Sequence, residues 1–416
     1  MSQEDAFLQA ILEDPDNDDL RLVYADWLEE RGDPRGEFIR LQCAKPDPHG
    51  MTDELWEQRY DREQALLAQH GKQWAKPLRR LGCKYKFQRG FIEEITVKRG
   101  KLLKHATRLF QLAPIRCVHF EDDGNEFAEV FRLPCLQRVT TLDFSECKVI
   151  AEDLAALGQC PYLTQLEDLN LSNPYRGSDY WNEFDGEQLG CLTASPYLKR
   201  LKNLDLGFNV IGDHGLSLLA QSGFASRLER LNLEATRISP AGLRALGEGL
   251  AWKRLWSLDL GGNRLGDVGM RALAALSNLP RLHCLHLRQN DISAKGLKAL
   301  ARWPSLPRLN TLVLDRNGFG NSGVKVIAES AGFHRLNSLE LCDNEIDDQG
   351  AEFLMASPLR KQLDLNLGIW IDFENWDEQL DDDAPKPYRN RISAGGQKAL
   401  TRRFSKVRFP DVPWRL

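Results

Sequence analysis

The sequence predicts an α/β fold: a solenoid of short parallel strands, each followed by a helix, stacked behind a small all-helical N-terminal cap. Three observations predict it. The stretch "LWSLDLGGNRLGDVG", residues 255–269, is preceded by "LERLNLEATRISPAG" and followed by "LHCLHLRQNDISAKG". Its lead position recurs at Leu201, Leu228, Leu255, Leu282, Leu309 and Leu336, each 27 residues after the last. A fixed period of this length marks a stack of supersecondary units. Inside each unit, L-x-L alternates with period two, which predicts a short strand with one face buried. A helix follows, with Asp213, Ser239, Asp267, Ser293 or Asn321 placed to start it.

Each element then has a physical reason. The unit has an apolar side that it cannot bury alone, so units must stack. A buried leucine contributes ~1.5–3 kcal/mol, and every unit supplies several. Asn209, Asn263, Asn290, Asn317 and Asn344 fill one slot after the strand. Their amides can satisfy backbone groups of the neighbouring turn and form a ladder along the stack. Weaker copies of the unit are led by Val139 and Leu166, and shorter ones by Ile92 and Ile115. "RKQLDLNL" and "NRISAGGQKAL" read as two halves of a further copy, and "FSKVRF" as a last strand.

This spacing resembles the leucine-rich repeat family, in its ribonuclease-inhibitor-like subtype, over roughly residues 91 to 410. The resemblance implies a horseshoe with a concave parallel sheet, outer helices and a protein partner bound on the concave face. Counting each short strand unit as one repeat gives about eleven repeats. "LVYADWLEERGDPRGEFIRLQ", residues 22–42, resembles the bacterial repeat-companion domain, a helical module found ahead of repeat arrays. Residues 3–13 and 19–31 read as amphipathic helices packed through Leu22, Tyr24 or Ala25, Trp27 and Leu28. Gly32 is placed to end the second, and Asp33-Pro34 to start a third. The expected layout is a helical cap over 1–70, a basic linker over 71–90 and the solenoid over 91–410. Insertions fall near 174–181 and 368–389, and residues 411–416 form a tail.

Composition limits the function. Of 416 residues, 42% are hydrophobic and 28% charged, with a net charge of −5. Eighteen consecutive apolar residues occur nowhere, so no membrane span is expected. Nine cysteines lie scattered without a C-x-x-C pair, which signals neither a disulfide framework nor zinc. The expectation is a cytoplasmic monomer with reduced thiols and no cofactor. Residues 72–116 hold thirteen Lys or Arg against Glu93 and Glu94 alone, while residues 1–50 are acidic. The basic segment can pair with the acidic one in the same chain, and the overall pI near 6.0 argues against nucleic acid.

Residues between the inner leucines point to the concave face. The central column is read as Asp143, Asn170, Asp205, Asn232, Asp259, His286, Val313, Glu340 and Asp364, flanked by Asp168, Glu234, Asp315, Arg230 and Arg288. Asp143, Asp205, Asp259, His286, Glu340 and Asp364 are therefore candidates for contact with a basic protein or peptide. Alternatively, short polar residues simply suit a solvated strand face and were copied with the repeat. The insertions occupy the same slot of two repeats and carry Tyr175, Tyr180 and Trp181, then Trp370, Phe373 and Trp376. Exposed loop aromatics are typical binding anchors, although the second loop can instead fold back as a cap. A stripe of arginines directly before the lead position, Arg138, Arg200, Arg227, Arg254, Arg281, Arg308 and Arg335, is expected to cap helix-end carbonyls.

Enzyme signatures are missing from the sequence: no P-loop, no G-x-S-x-G and no H-E-x-x-H. In "HCLH", alternation sends Cys284 and His286 to one face and His283 to the other, which leaves zinc short of ligands. The expected function is a non-enzymatic protein-interaction scaffold. The alternatives are a purely structural repeat protein and, from the subtype resemblance, an accessory that assists a GTPase as the Ran GTPase-activating protein does.

Overall fold

The computed structural model describes residues 2–44, 53–121, 124, 126–145, 147–173, 184–247, 252–368 and 389–409. They fall into two compact units, 1–147 with 160–166 and 148–159 with 167–416. The fold is an α/β repeat solenoid.

The first unit begins with helices α1 (Gln3–Glu13), α2 (Asp18–Glu29), α3 (Arg35–Cys43) and α4 (Asp53–Leu66). Ser2 and Asp5 form a reciprocal capping box at the start of α1, and Asn17 caps α2. Gly32, at φ +71°, stops α2 in the left-handed conformation that glycine adopts without strain. Asp33 then accepts the Arg35 N–H at 2.8 Å and starts α3. The expected packed face is present: Tyr24, Ala25 and Leu28 are buried with Ile11, Ile39 and Phe91, and Leu22 and Trp27 pack at the margin.

Residues 71–90, expected as a linker, instead carry two short helices, Lys72–Trp74 and Lys76–Arg79, and a strand. That strand, β1 (Lys84–Gln88), runs antiparallel to β2 (Phe91–Lys98). The turn between them is tight. Gly90 sits at φ +84°, and a Cβ there would lie 2.2 Å from Ile39 Cγ1. Strands β2, β3 (Cys117–Glu121) and β4 (Thr141–Asp143) then pair in parallel. The helix Arg99–Leu112 connects β2 to β3 and buries Leu102, Ala106, Leu109 and Phe110 along one stripe. Phe120, Phe127 and Phe144 fill the core beneath, with ring centroids 4.7–5.2 Å apart.

The fastening of cap to strand is ionic. Arg21 is fully buried and reaches Glu93 at 2.8 Å, Pro15 O at 2.7 Å and Arg89 O at 3.1 Å. Glu93 also takes Arg89 at 2.7 Å, and Arg89 and Arg116 reach back to Asp16 and Asp18. The basic segment therefore does pair with the acidic N-terminus.

The second unit is regular. Its strands are β5 (Asp168–Asn170), β6 (Asn203–Asp205), β7 (Arg230–Asn232), β8 (Ser257–Asp259), β9 (Cys284–His286), β10 (Thr311–Val313), β11 (Ser338–Glu340), β12 (Asp364–Asn366) and β13 (Lys406–Arg408). They pair in parallel and in chain order. The central leucine of β5 to β12 is buried in every case. The asparagine ladder is complete from Asn263 onward. Asn317 donates to Leu287 O of the preceding repeat and to Leu314 O and Asp315 O of its own turn, and accepts from Asn290 N and Ile292 N. Asn390 takes the same position after the second insertion, accepting from Asn344 N and Ile346 N.

A second ladder runs between the helices and revises the capping expectation. Among the five named residues, Ser293 caps its own helix through the Lys295 N–H, and Ser239 accepts the N–H of Ala241 and Gly242 in the turn that follows it. Asp213 and Asp267 sit inside the first turn and accept the N–H and hydroxyl of Ser239 and Ser293 in the next repeat. Asn321 pairs with Asp347 in the same way. At Gly212, Gly266 and Gly320 the chain enters the helix two residues earlier than the capping signal suggests, which frees Asp213, Asp267 and Asn321 to bridge repeats. Of the arginine stripe, Arg138 donates to Phe110 O at 2.9 Å in the last turn of a helix, as expected, whereas Arg308 donates to Pro280 O at 3.3 Å in the turn before β9, beyond any helix end.

Candidate functional site

The exposed face of the sheet is built by strand register. In the second unit, one column runs Asn170, Asp205, Asn232, Asp259, His286, Val313, Glu340, Asn366 and Arg408. A neighbouring column runs Asp168, Asn203, Arg230, Ser257, Cys284, Thr311, Ser338, Asp364 and Lys406. Asp364 therefore does not occupy the central column. Glu340 pairs with Asn366, and Asp364 lies one pleat back, opposite Ser338. The sequence reading matched the wrong leucine pair of "LDLNL" to the repeat. Backbone pairing picks Leu365 as the strand centre.

The side chains of the central column hold one another. Each short acid or amide first closes its own turn: Asp143, Asp205 and Asp259 accept the N–H of Ser145, Gly207 and Gly261 at 2.8–2.9 Å. The second carboxylate oxygen then reaches the adjacent strand. Asp205 Oδ2 accepts from Asn232 at 3.0 Å, and Asp259 Oδ2 meets His286 Nδ1 at 2.9 Å. Glu340 takes Asn366 at 2.5 Å and Arg408 at 2.6 Å, and Arg408 also reaches Asp364 at 3.4 Å. Arg288 pairs with Glu234. The acids of this face thus have built-in partners, and Lys406 and Arg408 place bases at its last strand.

In the first unit, register aligns Thr96, His119 and Asp143 in a column of its own. His119 lies between two acids, with Nδ1 3.0 Å from Asp143 and Nε2 3.3 Å from Glu94. The hydrogen bond to Asp143 raises the imidazole above its ordinary value, against the opposing effect of burial. For Asp143, burial acts upward, but hydrogen bonds from His119 and Ser145 hold the carboxyl below its ordinary value. His286 is likewise raised. Burial opposes its charge, and the hydrogen bonds to Asp259 and Cys284 outweigh it.

Two arrangements on this face had no clear signal in the sequence. Asp315, Glu340 and Cys342 converge, their potential ligand atoms all within 4.8 Å of one another. Asp315 is buried and accepts the Cys342 N–H at 2.7 Å, and Glu340 is engaged by Arg408 and Asn366. Burial, with Glu340 close by, pushes the Asp315 carboxyl up to about 7. The corner is satisfied by protein donors rather than arranged around an open coordination position. The second is on β9, where Cys284 Sγ lies 3.2 Å from His286 Nε2. The sequence places both on one face, but the distance and the in-register Asp259 come from the fold.

Tyr175, Tyr180, Trp181, Trp370, Phe373 and Trp376 lie outside the described residues. The chain leaves the sheet at Asn173 after β5 and at Gly368 after β12, so both insertions start at the same end of parallel strands. On α4, Trp56 and Tyr60 stack 5.5 Å apart and are each about half exposed, beside a cavity of about 350 Å³ that Phe87 also lines. Among the described residues, no helix is long and apolar enough to cross a membrane.

Comparison with known proteins gives the repeat its name. A family model described as Leucine Rich repeat matches residues 199–220, 255–274, 279–301 and 335–355. No curated protein matches the sequence. Among solved structures, an internalin from Listeria monocytogenes is similar at 19% identity and a TM-score of 0.41, covering 82% of this chain and 95% of that one. The Rad7 and Elc1 complex in yeast is similar at 16% identity and a TM-score of 0.39, covering 77% of this chain and 87% of that one. Leucine-rich repeat proteins are typically non-enzymatic scaffolds for protein interaction. The matched segments lie within the regular repeats, where the strand register and the asparagine ladder build an α/β repeat solenoid.

Proposed function

We propose that this chain is a protein-interaction scaffold that receives a basic protein segment on the exposed face of β5 to β12, between the two aromatic insertions. The observation that supports this reading is the fixation of the polar columns. Asp205, Asp259 and Glu340 are half-buried and held by neighbours on the face itself. Side chains ordered before binding lose little rotamer entropy when a partner arrives, which favours affinity. A carboxylate that already accepts one or two hydrogen bonds keeps further acceptor capacity, so internal pairing and partner contact are compatible. Aromatic side chains such as Trp181 and Trp376 would supply the anchoring contacts, and the acids would speed and orient encounter.

The test is association kinetics with a partner captured by the full chain and then purified. A variant carrying Asp205→Asn, Asp259→Asn and Glu340→Gln keeps the turn-closing acceptors while removing charge. Its association rate should fall several-fold at low salt and converge with the wild-type rate at high salt. An unchanged association rate at low salt would move the binding surface elsewhere, with the Trp56–Tyr60 surface of α4 next to examine.

A further inference from the structure

Cys284, His286 and Asp259 form a connected chain on the exposed face. Period-two alternation brings Cys284 and His286 to the same side of β9, and parallel register sets His286 opposite Asp259 of β8. The distances are those of a nucleophile, its base and an orienting acid: Sγ to Nε2 3.2 Å, Nδ1 to Asp259 Oδ2 2.9 Å. Asp259 is itself fixed, because its other oxygen accepts the Gly261 N–H at 2.8 Å. With Nδ1–H donated to the carboxylate, Nε2 faces the thiol as an acceptor. Moving the thiol proton to Nε2 leaves a thiolate beside an imidazolium that Asp259 stabilises. The neighbours of Cys284 in its own column are Ser257 and Thr311, both small, and the thiol is half-buried rather than enclosed.

The first unit supplies a contrast. It has the same Cys-x-His spelling at Cys117 and His119, and His119 also meets an aspartate through Nδ1. Its Nε2, however, faces Glu94 at 3.3 Å. A carboxylate therefore takes the place that the thiol holds at His286.

We propose that Cys284 is a nucleophilic thiol, activated by His286 and oriented by Asp259, and that it is a site of reversible modification by low-molecular-weight disulfides of the glutathione type. The thiolate sulfur attacks one sulfur of the disulfide. A new S–S bond forms, the old one breaks, and the leaving thiolate takes the proton held on Nε2. Cys284 is oxidised to a mixed disulfide, and one equivalent of small thiol is released. The disulfide is the oxidant, so no other electron acceptor enters. The titratable groups around the site are Asp259 on β8, His283 and Arg288 flanking the thiol and imidazole on their own chain segment, Arg230 on β7 and Asp315 just after β10. Arg288 is paired with Glu234, and Arg230 lies over the Trp256 ring at 4.7 Å.

The test uses the full reduced chain and the exposed Cys191 as an internal reference. Iodoacetamide labelling is followed by peptide mass spectrometry from pH 5.5 to 9. At pH 6.5 Cys284 should react roughly fivefold faster than Cys191, because a base within hydrogen-bond reach takes the thiol proton. The advantage should grow toward lower pH. His286→Gln should bring Cys284 to the Cys191 rate or below, and Asp259→Asn should give an intermediate rate. Oxidised glutathione at pH 6.5 should place a mixed disulfide on Cys284 before Cys191, and reductant should remove it. Equal labelling of the two cysteines at pH 6.5 overturns the activation. An unchanged rate in His286→Gln overturns the role of the imidazole. Fast alkylation without mixed-disulfide formation overturns the assigned modification.

Discussion

The two compact units solve the same problem, burying the backbone polar groups of a stacked sheet, with different chemistry. The second unit uses neutral groups: asparagines in the turns bridge to the preceding repeat, Thr236 takes that slot in one turn and donates to Leu233 O, and leucines fill the core. The first unit has no such run. It uses phenylalanines for the core and full charges at the junction, with Arg21 and Glu93 both buried. Amide ladders copy with the repeat because each member meets the same surroundings. An ion network does not copy, because each charge needs its own counter-charge and a surrounding that completes the hydrogen bonds. The regular unit is thus tolerant and additive, and the irregular one is fastened at a few expensive points.

That difference can be broken experimentally, beginning with the largest effect. Glu93→Gln leaves Arg21 buried without its counter-charge, and the first unit should lose about 3–5 kcal/mol. Denaturant unfolding, with amide exchange in α1, α2 and β2 as the local readout, measures it. Replacing both partners, Arg21→Met with Glu93→Leu, should recover much of the loss, since a paired removal strands no charge at Arg21. A single variant as stable as wild type would mean the network contributes no fastening.

The amide ladder should yield less per site. Asn317→Ala strands backbone groups on both sides of one turn, and the expected cost is about 1–3 kcal/mol. Exchange should quicken in β9 and β10 and leave β2 unchanged. A uniform loss across both units would contradict the local character assigned to the ladder.

The smallest effect concerns a charge that the second unit has not balanced. The Asp315 carboxyl is raised by burial to about 7, whereas an unfolded aspartate titrates near 3.9. A raised folded value contributes stability that is full below about pH 4 and is lost as pH rises through 7. Asp315→Asn keeps an oxygen for the Cys342 N–H and removes the penalty. It should be stabilising by about 1 kcal/mol at pH 8 and close to neutral at pH 4. Melting curves at the two pH values check it, and a destabilised variant at pH 8 would show that the carboxylate has a favourable partner.

Much of the regular unit was legible in the residues. The period gave the stack, L-x-L the strands, and the asparagine slot the ladder, because each depends on local spacing that the fold simply repeats. The helix starts were misjudged at Asp213 and Asp267. Capping rules consider one helix at a time, and these side chains serve the next repeat. Asp364 was set in the wrong column because "LDLNL" offers two equal leucine pairs, and only pairing with β11 chooses between them.

By itself, then, the sequence determined the fold class, the strand positions of the repeats, the buried leucines and the side of the sheet on which each polar residue of a repeat stands. These follow from periods of two and 27 that no distant contact can alter. Tertiary structure alone decided which of those polar residues meet. Whether Nε2 of a histidine meets the thiol of its own strand, as in His286, or a carboxylate of the neighbouring strand, as in His119, is set by which side chain the fold brings within reach. The same holds for Arg21. Nothing in "DDLRLVYADW" marks that arginine for burial, because its partner Glu93 lies far along the chain and only folding brings the two charges out of water together.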